Sequence, residues 1–325
     1  MIRYAVIGTS WITKKMIGAA ADAGGFSLCA VYSRTEEKGK AFAEEFHAQR
    51  VYTSLSALAA DPELDAVYIA SPNACHFEQA KLLLASGKHI LCEKPIAKNS
   101  ERVRALLELA KENGVIFLEA IKSMFSPGAR VIEDTLPQLG KISQASFVFQ
   151  QLSSRYPALM QGELPNIFNP GLEAGAVMDI GVYCLYPALR FFGKYETLTA
   201  AAKLLANGID LYGDAILHYP DYQAVLSYSK AANQAVSSQI IGENGAILIE
   251  KISSLDGISL VLNDGTRKLL YRSEEENDMK YEAEFFRRAI QSPDEVQGML
   301  SQLNQLSVLS AAGLEEIRRK TGVCF

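Results

Sequence analysis

The chain has 325 residues, 49% of them hydrophobic and 21% charged, and carries a net charge of −5. That length exceeds one average domain and suffices for two, each able to bury a core without staples. The acidic balance and the absence of any basic run exclude a nucleic-acid footprint and a basic membrane-binding segment. Residues 2–8 predict a strand that starts at once, without the charged and apolar regions of a secretory signal. A helix over 13–23 follows, then a strand over 27–33, a helix over 36–46 and a short strand at 50–52. Ser54 caps a helix that stops before Asp61-Pro62. A buried-strand run at 66–70 leads into a helix over 73–86 closed by Gly87. A strand at 89–92, a helix over 100–113 closed by Gly114 and a strand at 115–118 complete the series. Strands alternating with helices of this length predict βαβ units and a parallel sheet.

The pattern changes after residue 122. Runs of β type at 144–150, 197–206, 213–218, 223–229, 239–241, 246–250, 258–262 and 267–271 are separated by turn signals such as Asn263-Asp264-Gly265. They predict a mostly antiparallel sheet with helices beside it. Two helices, over 277–290 and 302–320, end the chain. Residues 1–121 thus predict an α/β domain and residues 122–325 an α+β domain, whose last helices can pack back on the first. The most apolar stretch, 174–192, is broken by Asp179 and Arg190 and makes a poor transmembrane segment. Five cysteines, odd in number and widely spaced, form no zinc pattern. No metal is expected, and the thiols read as free in a reducing cytoplasm.

A dinucleotide-binding α/β domain needs a glycine turn after its first strand and a helix N-terminus facing the pyrophosphate. Here the turn is Gly8-Thr9-Ser10-Trp11-Ile12-Thr13. Only the first of the three usual glycines is present. Ser10 is small enough for close backbone approach and its hydroxyl can bind phosphate; Thr13 is bulky enough to space the helix from the strand. The alternative is an ordinary βα turn of another α/β fold. The second strand ends Tyr32-Ser33-Arg34, where an NAD site carries Asp or Glu for the ribose 2′-hydroxyl. A hydroxyl and a guanidinium suit a 2′-phosphate, which favours NADP over NAD. The alternatives for Arg34 are a solvated surface residue, or a guanidinium stacked on adenine that selects neither cofactor.

The fifth strand ends Cys92-Glu93-Lys94-Pro95. Ligands of doubly wound folds lie outside the carboxyl ends of the strands, and Pro95 restricts Lys94 to extended backbone. A lysine there can hydrogen-bond a hydroxyl or carbonyl and stabilise negative charge during hydride transfer; a plain surface lysine is the alternative. Three segments in this order, Ser71-Pro72-Asn73-Ala74-Cys75-His76, Glu93-Lys94-Pro95 and Gly175-Ala176-Val177-Met178-Asp179-Ile180-Gly181-Val182-Tyr183, carry a resemblance that runs almost end to end. With them the chain resembles the glucose–fructose oxidoreductase and inositol dehydrogenase family, nearest in pattern to members resembling dimeric dihydrodiol dehydrogenase.

The resemblance implies a Rossmann domain for NAD or NADP and a C-terminal domain with a large open sheet, through which members pack as homodimers or homotetramers. It implies redox at a hydroxyl or carbonyl carbon of a sugar-like or small dicarbonyl substrate. Lys94 matches the family's lysine, with a cis peptide before Pro95. Pro72 and Asn73 match the turn beneath the nicotinamide. His76 matches a histidine at the helix start, for which a backbone-satisfied residue is the alternative. With Ser71 and Glu93 these join Gly8, Thr9, Ser10, Trp11, Ile12, Ser33 and Arg34 as the cofactor set. Asp179 and Tyr183 match an Asp-x-Gly-x-His element, and their i, i+4 spacing puts them on one helical face. Tyrosine is a poor base at its usual pKa of about 10, but a nearby lysine favours the phenolate. Tyr183 is then the proton-transfer group, Lys94 tunes it, and Asp179 orients substrate or lysine; a buried core aromatic is the alternative for Tyr183. Met124 stands before Phe125 where relatives often carry arginine, which leaves one cation fewer. Arg155, Tyr156, Asn166, Phe168 and Asn169 flank the Gly175 segment as candidate sugar contacts, or as turn formers of a surface loop; Tyr228 and Lys230 are weaker candidates. Two other activities fit such a fold: non-redox glycoside cleavage with tightly held NAD, and silent dinucleotide sensing. Intact Lys94, Asp179 and Tyr183 argue against the latter.

Overall fold

Short apolar runs ending in tight turns build the first sheet. The computed structural model describes residues 1–325, which group into two units: residues 1–121 with 277–308, and residues 122–276 with 309–325. The first unit runs β1 (Ile2–Ile7), α1 (Trp11–Ala23), β2 (Phe26–Tyr32), α2 (Glu36–Glu45), β3 (Arg50–Tyr52), α3 (Leu55–Ala59), β4 (Ala66–Ile69), α4 (Asn73–Ala85), β5 (His89–Glu93), α5 (Ser100–Glu112) and β6 (Phe117–Ala120). The six strands are parallel, in the order β3-β2-β1-β4-β5-β6. The winding reverses between β1 and β4, the position where doubly wound folds bind ligands. These two strands are almost wholly apolar because both faces are covered. Ser54 and Asn99 cap α3 and α5 by accepting from the amides of Ala57 and Arg102. Two further helices follow much later in the chain, α9 (Lys280–Gln291) and α10 (Pro293–Thr321). Helix α9 packs on α1, and Asp278 just before it pairs with Lys15 at 2.5 Å. Helix α10 begins at Pro293 rather than near 302. Proline fits the first helical turn, and Asp294 and Glu295 complement the helix dipole there.

The second unit contains α6 (Pro127–Thr135), β7 (Ile142–Gln150), α7 (Tyr156–Met160), α8 (Val182–Phe192), β8 (Thr197–Leu204), β9 (Asp210–His218), β10 (Gln223–Ser229), β11 (Ser238–Gly242), β12 (Gly245–Lys251), β13 (Asp256–Leu262) and β14 (Arg267–Tyr271). The eight strands lie in the order β14-β13-β12-β11-β7-β10-β9-β8. All pairs are antiparallel except β7 with β10. Alternation sorts the two faces. Ala145, Phe147, Ala215, Leu217, Ala224 and Leu226 are buried on one side, where α8 packs on β7 and β10. Gln144, Tyr212, Asp214 and Gln223 are exposed on the other, with half-buried Ile216, Val225 and Leu248 among them. The stretch Pro170–Phe192 is long and apolar enough to cross a membrane, yet 78% of its apolar window is buried in this unit. It is a core helix.

All five cysteines are free; Cys92 and Cys184 are buried, and burial pushes both thiols up. Arg190, near the end of α8, anchors that helix. Its guanidinium donates to both Glu133 carboxylate oxygens, at 2.8 and 3.3 Å, and to the Met124 carbonyl at 2.6 Å. Lost charge-assisted bonds at a mostly buried site are costly. Arg190→Met is therefore expected to lower the unfolding free energy by about 2–4 kcal/mol, measured by urea denaturation followed by circular dichroism.

Candidate active site

The carboxyl ends of the first sheet are locked edge to edge. Gly8 follows β1 with φ +102°, and its amide reaches the Tyr32 carbonyl at 3.4 Å. The Ala70 amide donates to the Ile7 carbonyl at 2.9 Å. A Cβ on residue 8 would lie 2.5 Å from the Ala70 oxygen, so only glycine lets this turn pass the end of β4. Ser10 precedes α1 but makes no side-chain cap; its hydroxyl lies 3.4 Å from the Thr13 hydroxyl. The first-turn amides of α1 are thereby left for an anion. Trp11 is 72% exposed and Thr13 is fully buried. At the end of β2, Ser33 is buried and its hydroxyl accepts from the Thr35 amide at 3.4 Å, while Arg34 is exposed. These residues neighbour Gly8 because Ile7 pairs with Tyr32.

His76 joins the next two strand ends. Its ring is buried, with Nε2 at 2.8 Å from the Ser71 carbonyl and Nδ1 at 3.0 Å from the Pro95 carbonyl. Both partners are acceptors, so a neutral ring satisfies one and a charged ring both. Burial holds the imidazole pKa down, against the pull of the two carbonyls. His76 is thus a brace between the Ser71-Pro72-Asn73 turn and the Lys94-Pro95 turn, whose peptide is cis. The Ser71 hydroxyl donates to Gln79 at 2.6 Å, and Glu93 accepts from the Tyr68 hydroxyl at 2.5 Å. Lys94 is half-buried on the turn after β5.

In the second unit, Val177–Gly181 forms a π-helical turn that continues directly into α8. Such turns occur often at functional sites. Asp210, buried at the start of β9, accepts from the Val177 amide at 2.7 Å. Its other oxygen, Oδ1, is buried without a partner, and burial outweighs the pull of the nearby amides and pushes the carboxyl up to about 6. Gly175 has φ +122°, and a Cβ there would lie 2.2 Å from Asp210 Oδ1. Asp179 forms an ion pair with Lys230. Tyr183 is 8% exposed and stands edge-on to Phe149, with centroids 5.7 Å apart.

Asp179 and Tyr183 thus belong to one short segment of the second unit, and Lys94 to the first unit. The loop candidates separate. Arg155 and Asn166 are exposed, and Tyr156 is half-buried against a small cluster of Phe168, Ile209 and Leu211. Phe168 is corrected to a core residue: it is fully enclosed and has no surface to offer a substrate. Asn169 caps the turn Pro170–Leu172 by accepting from the Gly171 amide at 2.9 Å. Asp210 escaped sequence reasoning because an aspartate after Asn207-Gly208 looks like a turn former.

A glycine turn at the switch point of a six-stranded parallel sheet, followed by an eight-stranded, mostly antiparallel domain, defines a two-domain nicotinamide-dependent oxidoreductase architecture. Residues 2–120 match the oxidoreductase family with NAD-binding Rossmann fold, and residues 137–248 match the GFO/IDH/MocA C-terminal domain. The chain belongs to the GFO/IDH/MocA oxidoreductase family. It is 38% identical to scyllo-inositol 2-dehydrogenase (NADP(+)) IolU of Bacillus subtilis, covering 100% of this chain and 98% of that protein. It is 40% identical to the oxidoreductase YgjR of Escherichia coli with the same coverage. Mouse trans-1,2-dihydrobenzene-1,2-diol dehydrogenase is 28% identical over 92% of this chain and 90% of its own. The structure of KijD10, a 3-ketoreductase from Actinomadura kijaniata in complex with NADP and TDP-benzene, shares the fold at a TM-score of 0.85, with 22% identity and 98% of each chain covered. The protein is an NAD(P)-dependent oxidoreductase.

Gly8→Ala forces a methyl against the Ala70 carbonyl, and is expected to weaken NADPH binding more than about 30-fold and stability by roughly 2–3 kcal/mol; Trp11 fluorescence and a urea melt read both. Asp210 sets a pH dependence. Its folded pKa lies above the usual 3.8, so the native state holds the proton more tightly than the unfolded chain. Its contribution is present below about pH 4 and is lost as pH rises to about 6, by up to roughly 3 kcal/mol. Asp210→Asn should show no such loss, so its stability relative to the parent rises across this window in melts taken from pH 4 to 7.

Proposed function

We propose that this protein is a cytoplasmic, NADP-preferring dehydrogenase–reductase acting on a secondary hydroxyl, or the matching carbonyl, of a sugar-like or cyclic polyol substrate. The observation that carries the cofactor choice is the end of β2. Ser33 and exposed Arg34 stand beside Gly8, where an NAD site would present a carboxylate. Similarity to IolU along the whole chain supports both the cofactor and the polyol class. The residues present fit a dinucleotide: bare Gly8 leaves room for its backbone approach, uncapped amides of α1 suit a pyrophosphate, and Arg34 suits a 2′-phosphate.

The bound nicotinamide supplies hydride transfer. The chain supplies the rest. Gly8, Thr9, Ser10, Trp11 and Ile12 cradle the pyrophosphate, and Pro72 and Asn73 shape the nicotinamide floor. Lys94 donates to the substrate oxygen and stabilises negative charge on it. Tyr183 takes the hydroxyl proton in oxidation and returns it in reduction. Asp179 accepts from a neighbouring hydroxyl and so fixes the ring. The protein works as a homodimer or homotetramer, with the outward face of the eight-stranded sheet as the contact. Ile216, Val225 and Leu248, lying among polar residues there, support that face.

NADPH should bind at least about tenfold more tightly than NADH. Arg34→Ala should weaken NADPH by about 10–100-fold, the worth of a charge-assisted bond, and NADH less than about twofold. Titrations of Trp11 emission read both, and equal affinity of the parent for the two cofactors would sink the 2′-phosphate assignment.

A further inference from the structure

Lys230 is 7% exposed, and its ammonium pairs with the Asp179 carboxylate. Enclosed lysine is rare without a fixed partner, because desolvation of the charge has to be offset. The main chain fixes this one. Strand β10 lies close under the π-turn because residue 181 is glycine: a Cβ there would meet the Tyr228 ring at 3.1 Å. The Tyr228 hydroxyl in turn reaches over Gly213, where a Cβ would sit 2.7 Å away. Two residues beyond Tyr228, the Lys230 amide donates to the Leu211 carbonyl at 3.0 Å, and its own carbonyl accepts from the Ser153 amide at 2.9 Å. Lysine and carboxylate therefore meet from two independently anchored backbones. The side chain of Asp179 keeps 29% of its surface accessible and that of Lys230 only 9%. The carboxylate is the outward member, with the lysine behind it.

We propose that Lys230 is the positioning residue of Asp179, holding that carboxylate ionised and in one orientation so that a substrate hydroxyl meets a fixed acceptor. The catalytic half of this role rests on the reading of Asp179 as a substrate-binding group. The elements packed against the turn carry Tyr228 on β10, with Lys230 just beyond it, then Asp210, Tyr212, Asp214 and His218 on β9, and Tyr183, Cys184, Tyr186 and Arg190 on α8; β7 carries none. Removal of the ammonium takes away a positive charge in direct contact with the carboxylate and raises the Asp179 pKa.

The test uses the full chain labelled with 13C-carboxyl aspartate, the Asp179 resonance being assigned by its loss in Asp179→Asn. In Lys230→Met that resonance should titrate at least about one pH unit higher than in the parent, and in Lys230→Arg within about half a unit of it. With scyllo-inositol and NADP+ as probe, Lys230→Met should lower kcat/KM about a hundredfold with NADPH affinity unchanged, Lys230→Arg should recover it to within about tenfold, and Lys230→Met combined with Asp179→Asn should lose no more than the worse single variant. Lys230→Gln keeps a donor without the charge and replaces Lys230→Met if that variant does not fold. An Asp179 titration unmoved by loss of the ammonium, or losses that multiply in the double variant, overturns the proposal. If the parent binds NADPH yet leaves scyllo-inositol unoxidised, the substrate class fails, while the carboxyl titration still decides the role of Lys230.

Discussion

The turn after β1 and the end of β4 share a space that admits no side chain, and the first unit is arranged around that fact. Bare Gly8 lets the two ends touch. The Gly8 amide ties the turn to β2, and the Ala70 amide ties β4 to β1. His76 then carries the lock from Ser71 to Pro95. From Ser33 to Lys94 the strand ends form one braced row, and groups from four strands hold their spacing along it. Catalytic and binding groups need placement to a fraction of an ångström, and a sheet edge locked by main-chain bonds supplies it.

The second unit solves the same problem with charge. At Gly175 the chain is bare so that the Asp210 carboxylate can come up against the motif segment and accept from the Val177 amide. At Gly181 it is bare so that Tyr228 can press against the turn and bring Lys230 to Asp179. Burying carboxylates and an ammonium costs desolvation energy that apolar residues would avoid. What such groups contribute is direction, since each accepts or donates along fixed lines. The elevated Asp210 pKa is the visible trace of that cost.

Much of this was legible in the chain. The alternation of short apolar runs with capped helices gave the parallel sheet, and turn-separated β runs gave the second sheet, because periodicity is a local property. Gly8, Lys94, Asp179 and Tyr183 stood out for the same reason: each lies in a contiguous motif. Pairings made by the fold did not stand out, and Lys230 was read only as a weaker candidate for substrate contact. Asp210 lies 33 residues beyond the amide it caps, and Lys230 lies 51 beyond Asp179; no local pattern marks either pairing. Phe168 read as a loop aromatic because its enclosure depends on Ile209 and Leu211, from a distant turn and strand. The early start of α10 was missed although Val296, Met299, Leu300 and Leu303 already keep a helical spacing, because Pro293 and Gly298 read as breakers.

The two enclosed thiols fall one in each unit: Cys92 one residue before Glu93 in the first, Cys184 one residue after Tyr183 in the second. A thiol reagent meets neither sulfur in the closed state, while Cys324 stands exposed. Alkylation of each buried thiol then counts the openings of its own unit, in the manner of amide exchange. The native chain carries two separate clocks of local unfolding, set beside Lys94 and Tyr183, together with an exposed thiol to calibrate the reagent.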